Sequence, residues 1–275
     1  MLILAATPIG NLADASPRLI EHLTGSSYIA AEDTRTLYKL AQALGIQVTA
    51  KTYSLHDHNE HERIDQLVEI AREHDLLVVS DAGMPTVSDP GFNLVRACAQ
   101  QGIAVTVIPG PSAVLSALAV SGLPTDRFTF EGFLPRKDGE RRTLFEELLR
   151  EQRTMIFFES PHRIHDSLQV AADIFGADRQ ASVSRELTKK FEHTERGTLA
   201  ELVAWAADEP KGEMVIVLAG AASVLRDITS LVSDVLALAE SGIGLKQAVA
   251  EIAEVSRVSK SELYQLALDA RKSNG

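Results

Sequence analysis

Cysteine is almost missing from this chain: Cys98 stands alone among 275 residues. An internal disulfide is excluded, as is any zinc site built from several cysteines, and the composition suits a reducing cytoplasm. Positive charge is also short, with 27 Lys and Arg against 38 Asp and Glu and a formal net charge of −11. Bulk attraction to phosphate needs clustered cations, so the chain is not expected to coat free nucleic acid or to bind DNA. A local basic patch that docks on one structured RNA site stays open. No apolar run is long enough to span a bilayer, so no membrane contact is expected. The opening MLILAATPIGNLAD lacks the cationic region and cleavage site of a signal peptide and reads as a first strand. No GxGxxG follows a strand, and the P-loop, HExxH and GxSxG patterns are absent, which removes the standard dinucleotide, phosphate, zincin and nucleophile-elbow devices.

What is present is a chain 45% apolar, enough for real cores, in which strand and helix patterns alternate. Short β-branched runs at Leu2–Thr7, Tyr28–Ala31, Lys51–Ser54, Leu76–Ser80 and Ala104–Pro109 predict strands. Helical spacing fills the gaps at Pro17–Leu23, Arg35–Leu44, Glu62–Glu73 and Phe92–Gln101. Such alternation predicts a mainly parallel sheet with helices on both faces, an α/β domain over 1–120. After Ser121–Gly122–Leu123–Pro124 the pattern is richer in strands, at Arg127–Leu134, Thr154–Phe158, Ala181–Arg185, Phe191–Gly197 and Glu213–Ala219. Helices at Arg141–Arg150, His162–Phe175 and Leu199–Ala206 complete a second α/β domain with a mixed sheet over 121–222. The remainder, 223–275, reads as three short helices, the last two resembling a helix-turn-helix pair with Ser259 as a cap. Six cations against seven carboxylates from Arg226 onward give this tail no RNA-binding charge, and packing alone would explain it as well.

The chemistry-bearing residues gather at strand ends. SDAGMPTVSDPG at 80–91 follows the apolar run Leu76–Val79 and holds two glycines, two prolines and two aspartates. Loops at the carboxyl ends of buried parallel strands are where α/β folds bind ligands. A rigid turn with Asp81 and Asp89 capping nearby amides is the plainer reading. Similar loops follow other strands at Thr7–Asn11, Pro109–Ala113 and Glu159–Arg163, and Lys211–Met214 precedes the last one. Together they predict a ligand cleft between the domains. Glu32–Asp33–Thr34–Arg35 is either a satisfied ion pair or a functional group, with Asp33 as proton acceptor or orienter and Arg35 as a phosphate clamp. His56, Asp57, His58, Glu60 and His61 cluster, but His56 and His58 lack a third ligand, so no metal is expected; N-capping by Asn59 would also account for the segment. Arg136, Lys137, Arg141 and Arg142, four cations in eight residues, are the best local candidates for an RNA backbone, although a solvated helix start has the same pattern.

Taken together these segments resemble the tetrapyrrole-methylase superfamily and, within it, the branch that methylates small-subunit ribosomal RNA. The resemblance rests on TPIGNLAD at 7–14, AEDTR at 31–35, SLHDHNE at 54–60, SDAGMPTVSDPG at 80–91 and PGPSA at 109–113. It continues through GLPTDRFTFEGFLPRK at 122–137, FFESPHRI at 157–164, RELTKKFE at 185–192 and KGEMVIVLAG at 211–220. It implies a two-domain methyltransferase, usually a homodimer, that binds S-adenosylmethionine between its domains and methylates a cytidine 2′-hydroxyl in the decoding region of 16S RNA on the small ribosomal subunit. By motif, the cofactor would meet Pro8, Ser80, Asp81, Ala82, Gly83, Val87, Ser112 and Ala113. From the second domain it would meet Phe158, Glu159, Ser160, Leu187, Gly212, Glu213 and Met214. Asp33, His56, Asp57, His58 and Glu159 are candidates for taking the hydroxyl proton, and Arg35, Arg163, Arg185 and Lys189 for holding flanking phosphates. Relatives acting on tetrapyrroles carry a GDP-type turn where this chain has Asp81–Ala82–Gly83–Met84–Pro85, which argues against a tetrapyrrole substrate. A small-molecule methylase and a non-catalytic RNA-binding module remain the alternatives.

Overall fold

The computed structural model describes residues 1–56, 60–208, 210–221, 228–256 and 258–273. The chain divides into two compact units, Met1–Ala221 and Ala222–Gly275. The first opens with five parallel strands, β1 Leu2–Ala5, β2 Tyr28–Ala31, β3 Lys51–Ser54, β4 Leu76–Val79 and β5 Val105–Ile108, in the order β3-β2-β4-β1-β5. Helices α1 Pro17–Gly25, α2 Thr34–Ala43, α3 Glu60–Glu73 and α4 Phe92–Gln100 connect them. The period of two in these strands decides which face each side chain serves. Ile3, Ala5, Ile29, Leu77 and Val79 pack with Leu19 and Leu23 of α1 and Leu37 of α2. Leu2, Ala30, Leu76 and Val78 pack on the opposite side with Leu67 and Ala71 of α3 and Leu94 and Cys98 of α4. Every residue of β4 is buried because both faces are covered.

A second sheet is mixed, β6 Phe128–Phe133, β7 Thr154–Glu159, β8 Gln180–Arg185, β9 His193–Thr198 and β10 Met214–Leu218, in the order β6-β7-β10-β8-β9. Only β6 and β7 run parallel; the other pairs are antiparallel. Met155, Phe157, Ile216 and Leu218 face α6 Asp138–Glu147, α7 Ile164–Phe175 and α8 Leu199–Ala206. The opposite face, Ile156, Val215 and Val217, is covered by Val114, Ala117 and Leu118 of α5 Ala113–Ser121. Thus α5 leaves the edge of the first sheet and packs on the second, although all of it but its last residue lies before 121. Helix α6 begins earlier than its apolar spacing predicted, since Asp138 and Glu140 in its first turn suit the helix dipole. Phe191 lies before β9 rather than in it and is 63% exposed.

The second unit holds α9 Leu231–Glu240, α10 Leu245–Ser256 and α11 Lys260–Ser273 around its own core of Leu231, Val235, Val249 and Leu263. Among the described residues no helix is long and apolar enough to cross a membrane.

Candidate active site

Strands β1 and β4 lie side by side, yet the chain leaves β1 toward β2 and leaves β4 toward β5, on opposite sides. Their outgoing loops part there, which opens a crevice at the carboxyl ends. The two loops are stapled across it. The Thr7 amide donates to the Gly83 carbonyl at 2.9 Å, and the Gly83 amide returns to Thr7 at 3.1 Å. Thr7 Oγ1 also donates to the Ser80 carbonyl at 3.2 Å, and Ser80 Oγ to Gly83 at 3.3 Å, so Ser80 serves the turn. The far end of the 80–91 loop is held by Glu60, a carboxylate only 5% exposed. It accepts from the amides of Gly91 at 3.2 Å, Asn93 at 3.1 Å and Leu94 at 3.4 Å, and from Asn93 Nδ2 at 3.0 Å. Glu60 therefore caps α4, whose own N-cap residue, Gly91, has no side chain to do so. Asn59 lies outside the described residues.

A cavity of about 390 Å³ opens over this staple and is walled by both sheets. From the first come Ile9, Glu32, Asp81, Ala82, Gly83, Met84 and Val87 to Asp89; Ser112, Ala113 and Val114 come from the start of α5. The second sheet supplies Phe133, Phe158, Glu159, Ser160, Pro161, Glu213, Met214 and Val215. Pro8 is buried behind the first loop, and Leu187 sits in the apolar layer beneath α5. Gly212 precedes the Glu213 wall. None of these three is itself a lining residue. Every charged residue on the wall is acidic: Glu32, Asp81, Asp89, Glu159 and Glu213. A site of this kind favours a cationic ligand and repels phosphate.

The carboxylates are differently placed. Glu159 has a fully buried side chain, held by Arg163 at 2.5 Å, by Ser167 Oγ at 2.5 Å and by the Ser160 amide at 2.7 Å. It is a structural anchor at the end of β7. Asp81 and the 32–33 segment brace each other: the Asp33 amide donates to Asp81 Oδ1 at 3.2 Å, and the Asp81 amide to Glu32 Oε2 at 3.1 Å. Burial pushes the Asp81 carboxyl above its ordinary value, and the neighbouring Asp33 charge adds to this, although the Asp33 amide opposes it.

Asp33 caps α2 through the Arg35 amide at 2.8 Å and pairs with the Arg35 guanidinium at 2.6 Å. The Arg35 side chain holds its carboxyl down to about 2. A carboxylate held so low accepts a proton less readily near neutrality, and its contacts favour orienting Arg35. Arg35 is 85% exposed beside the cleft and does not line it. His56 is exposed after β3, and its carbonyl accepts from the Glu60 amide. Asp57 and His58 lie outside the described residues.

The cations expected at RNA separate on inspection. Arg136 and Lys137 are exposed, Lys137 reaching Glu140 at 2.7 Å, and Arg142 is spread between Asp138 and Asp173. Arg141 points inward and is only 4% exposed, so it cannot meet an RNA backbone. Its place on the buried side of α6, one turn after Asp138, decided this. Arg163 is committed to Glu159, to Ser160 Oγ at 3.2 Å and to the Leu134 carbonyl at 3.3 Å, which leaves it little for a phosphate. Arg185 reaches the Lys211 carbonyl at 3.3 Å. Lys189 is bound by Glu186 and Glu213, each at 2.9 Å. Burial pulls its ammonium down, but these two carboxylates outweigh that and raise it.

The same turn ties the sheets together, since the Asn11 amide donates to Thr188 Oγ1 at 3.1 Å. Gly10 allows the approach: a Cβ there would stand 2.8 Å from Thr188 Oγ1 and against the Lys189 side chain. The residue reading missed Ile9, Met84, Phe133 and Val215 as wall residues. Ile9 and Met84 lay within flagged loops; Phe133 and Val215 are apolar residues of ordinary type, and only the meeting of two sheets selects them.

A family model described as "Tetrapyrrole (Corrin/Porphyrin) Methylases" matches residues 1–203, and one described as "RsmI C-terminal HTH domain" matches residues 227–272. The chain is 45% identical to the ribosomal RNA small subunit methyltransferase I of Mycobacterium tuberculosis, over 100% of this chain and 96% of that one. It is 43% identical to the protein of the same name from Synechocystis, covering 98% of each. Among solved structures, the methyltransferase CobJ superposes with a TM-score of 0.60 at 18% identity, covering 80% of this chain and 94% of that one. A uroporphyrin-III C-methyltransferase from Thermus thermophilus complexed with S-adenosylhomocysteine gives 0.53 at 15% identity, covering 78% and 96%. These two likenesses concern the fold.

Proposed function

The chain belongs to the tetrapyrrole methylase family, and from that premise we propose that it methylates the 2′-hydroxyl of a cytidine in the decoding region of 16S RNA, on the assembled small subunit. Methyl transfer from S-adenosylmethionine to small-subunit ribosomal RNA follows from the family and from relatives matched over their full length. The cytidine, its 2′-oxygen and the assembled particle are the finer reading, as are a cytoplasmic setting and a homodimer. The exposed Val105 and Val107 on edge strand β5 would be covered in such a dimer.

One observation supports the donor assignment: all five charged wall residues are carboxylates, and of these Glu159 and Glu213 are paired with Arg163 and Lys189, leaving Glu32, Asp81 and Asp89 as wall carboxylates outside those two ion pairs. That donor set fits a ligand bearing a sulfonium and an ammonium. When bound, S-adenosylmethionine supplies a methyl group on positively charged sulfur. The chain's residues then have three tasks. The stapled loops at Thr7 and Gly83, with Ser112 and Met214, shape a wall that excludes water and sets the approach line. Asp81, whose carboxyl is raised and which faces the cavity, is better suited than Asp33 to accept the proton that the hydroxyl loses as its oxygen bonds to carbon. Arg35, exposed at the rim and oriented by Asp33, is placed for a flanking phosphate.

The test is transfer from labelled S-adenosylmethionine to assembled small subunits, naked 16S RNA and a tetrapyrrole, followed by nucleoside analysis. The expected product is 2′-O-methylcytidine from assembled particles. Label in a base, or in the tetrapyrrole alone, would refute the reading.

A further inference from the structure

Strand β6 loses register with β7 close to the cavity. Phe130 pairs with Ile156 and Phe133 with Phe158, so three steps on one strand face two on the other. Gly132, at φ +77°, takes up the extra residue. Regular alternation would send Phe130 and Phe133 to opposite faces. The bulge instead brings both rings onto Phe158, with centroids 4.9 Å and 5.2 Å away and planes inclined at 63° in each case. The Phe133 ring is thereby held upright on the cavity wall, yet it remains 62% exposed. A lone exposed apolar side chain needs no explanation. One aimed at a ligand cavity by a bulge and braced edge-on by a second aromatic does.

We propose that Phe133 is the stacking platform for the nucleobase whose ribose is methylated; this rests on the RNA reading above. Single-stranded RNA is held by aromatic faces that stack unpaired bases, joined to cations that follow the backbone. Both parts are contiguous here. Arg136 and Lys137, exposed at the start of α6, follow Phe133 by three and four residues. Among the described residues no cation lines the cavity, whereas Arg136 stands exposed outside it with Lys137 shared with Glu140, so the backbone passes on that side while the base turns in against the ring. The competing occupant of the ring is the adenine of the methyl donor.

The experiment compares Phe133→Ala, Phe133→Leu and Phe133→Tyr in the full chain. Donor affinity is read by calorimetry with S-adenosylmethionine, and kcat/KM is read on small subunits. Loss of one stacked base lowers kcat/KM roughly 5- to 150-fold in the Ala and Leu variants. Donor affinity falls by far less than the rate, since Phe133 touches the donor cavity only at its exposed wall, and Tyr keeps most of the rate. Leu is the critical variant, because it keeps apolar volume and removes only the π face. Donor affinity that falls together with the rate assigns the ring to the donor and overturns the proposal. Wild-type rates in Ala and Leu, with the native chain active on RNA, overturn the proposal alone. A native chain that methylates only another substrate overturns the RNA reading, and this proposal with it.

Discussion

Removing the Glu60 carboxylate should loosen the loop that walls the cavity, by an amount that can be worked from its contacts. This side chain satisfies the amides of Gly91 and Asn93 at 3.2 and 3.1 Å, with a longer contact to Leu94 and a fourth bond to Asn93 Nδ2. Hydrogen bonds to a charged acceptor contribute about 1.5–3 kcal/mol each, and an amide left buried without a partner costs about 1–3 kcal/mol. The contacts share one carboxylate and water can reach some of the freed amides, so Glu60→Ala should lose about 3 kcal/mol. Glu60→Gln keeps one acceptor but loses the charge at the N-terminus of α4, for about 1 kcal/mol. In a unit spanning Met1–Ala221 each kcal/mol moves the melting temperature by about 2–4 °C. Thermal unfolding should therefore fall by about 6–12 °C for Ala and about 2–4 °C for Gln. Donor affinity should weaken in the same order, because Gly91 and Asn93 anchor the end of the segment that carries Asp81 to Val87. An Ala variant that melts within about 2 °C of the native chain would refute the reasoning, as would Gln costing more than Ala.

Asp81→Asn should weaken S-adenosylmethionine binding about tenfold, as expected for one charge-assisted contact, without lowering the stability of the ligand-free protein at neutral pH. Burial raises this carboxyl, so ionising it opposes folding: its stabilising contribution is complete below the unfolded-state value and is lost as pH rises through the raised one. Calorimetry and melting at pH 7 check both halves, and a large drop in melting temperature would contradict the sign. Arg163→Ala strands the buried Glu159 charge, and melting should fall by more than about 6 °C, from the 3–5 kcal/mol cost of breaking a buried pair; unchanged melting with weakened RNA binding would restore Arg163 to the RNA surface. Arg35→Ala and Asp33→Ala should reduce transfer far more than donor affinity, and equal losses in both would discard their placement at the rim.

Strand β4 was readable because a short apolar run buried on both faces, Leu76–Val79, allows little else; the half-exposed β3 and β5 were readable from their alternation with helical segments, and the loops from their glycines and prolines. The resemblance located much of the cavity wall, including Asp81, Ser112 and Met214. What local pattern could not show depends on partners distant in sequence. Asp81 does accept an amide, that of Asp33, but the cap of α4 comes from Glu60, about thirty residues upstream, since Gly91 cannot cap it. Arg141 and Arg163 looked like their exposed neighbours until α6 and α7 were packed. Phe133 reads as one more strand aromatic, because a bulge is a property of two strands in register. The uniform sign of the cavity's charged residues appears only when four segments distant in sequence are brought together.

The contact at residue 10 makes the two sheets behave like jaws that close on bare backbone. Leu187, Thr188 and Lys189 rest on Gly10 with no room for even one carbon between them. A single methyl there, as in Gly10→Ala, would act as a wedge that displaces the Lys189 and Thr188 side chains. Because the Asn11–Thr188 bond sits beside the pivot, such a change would be felt as a wider gape over the ligand rather than as a loss of either sheet.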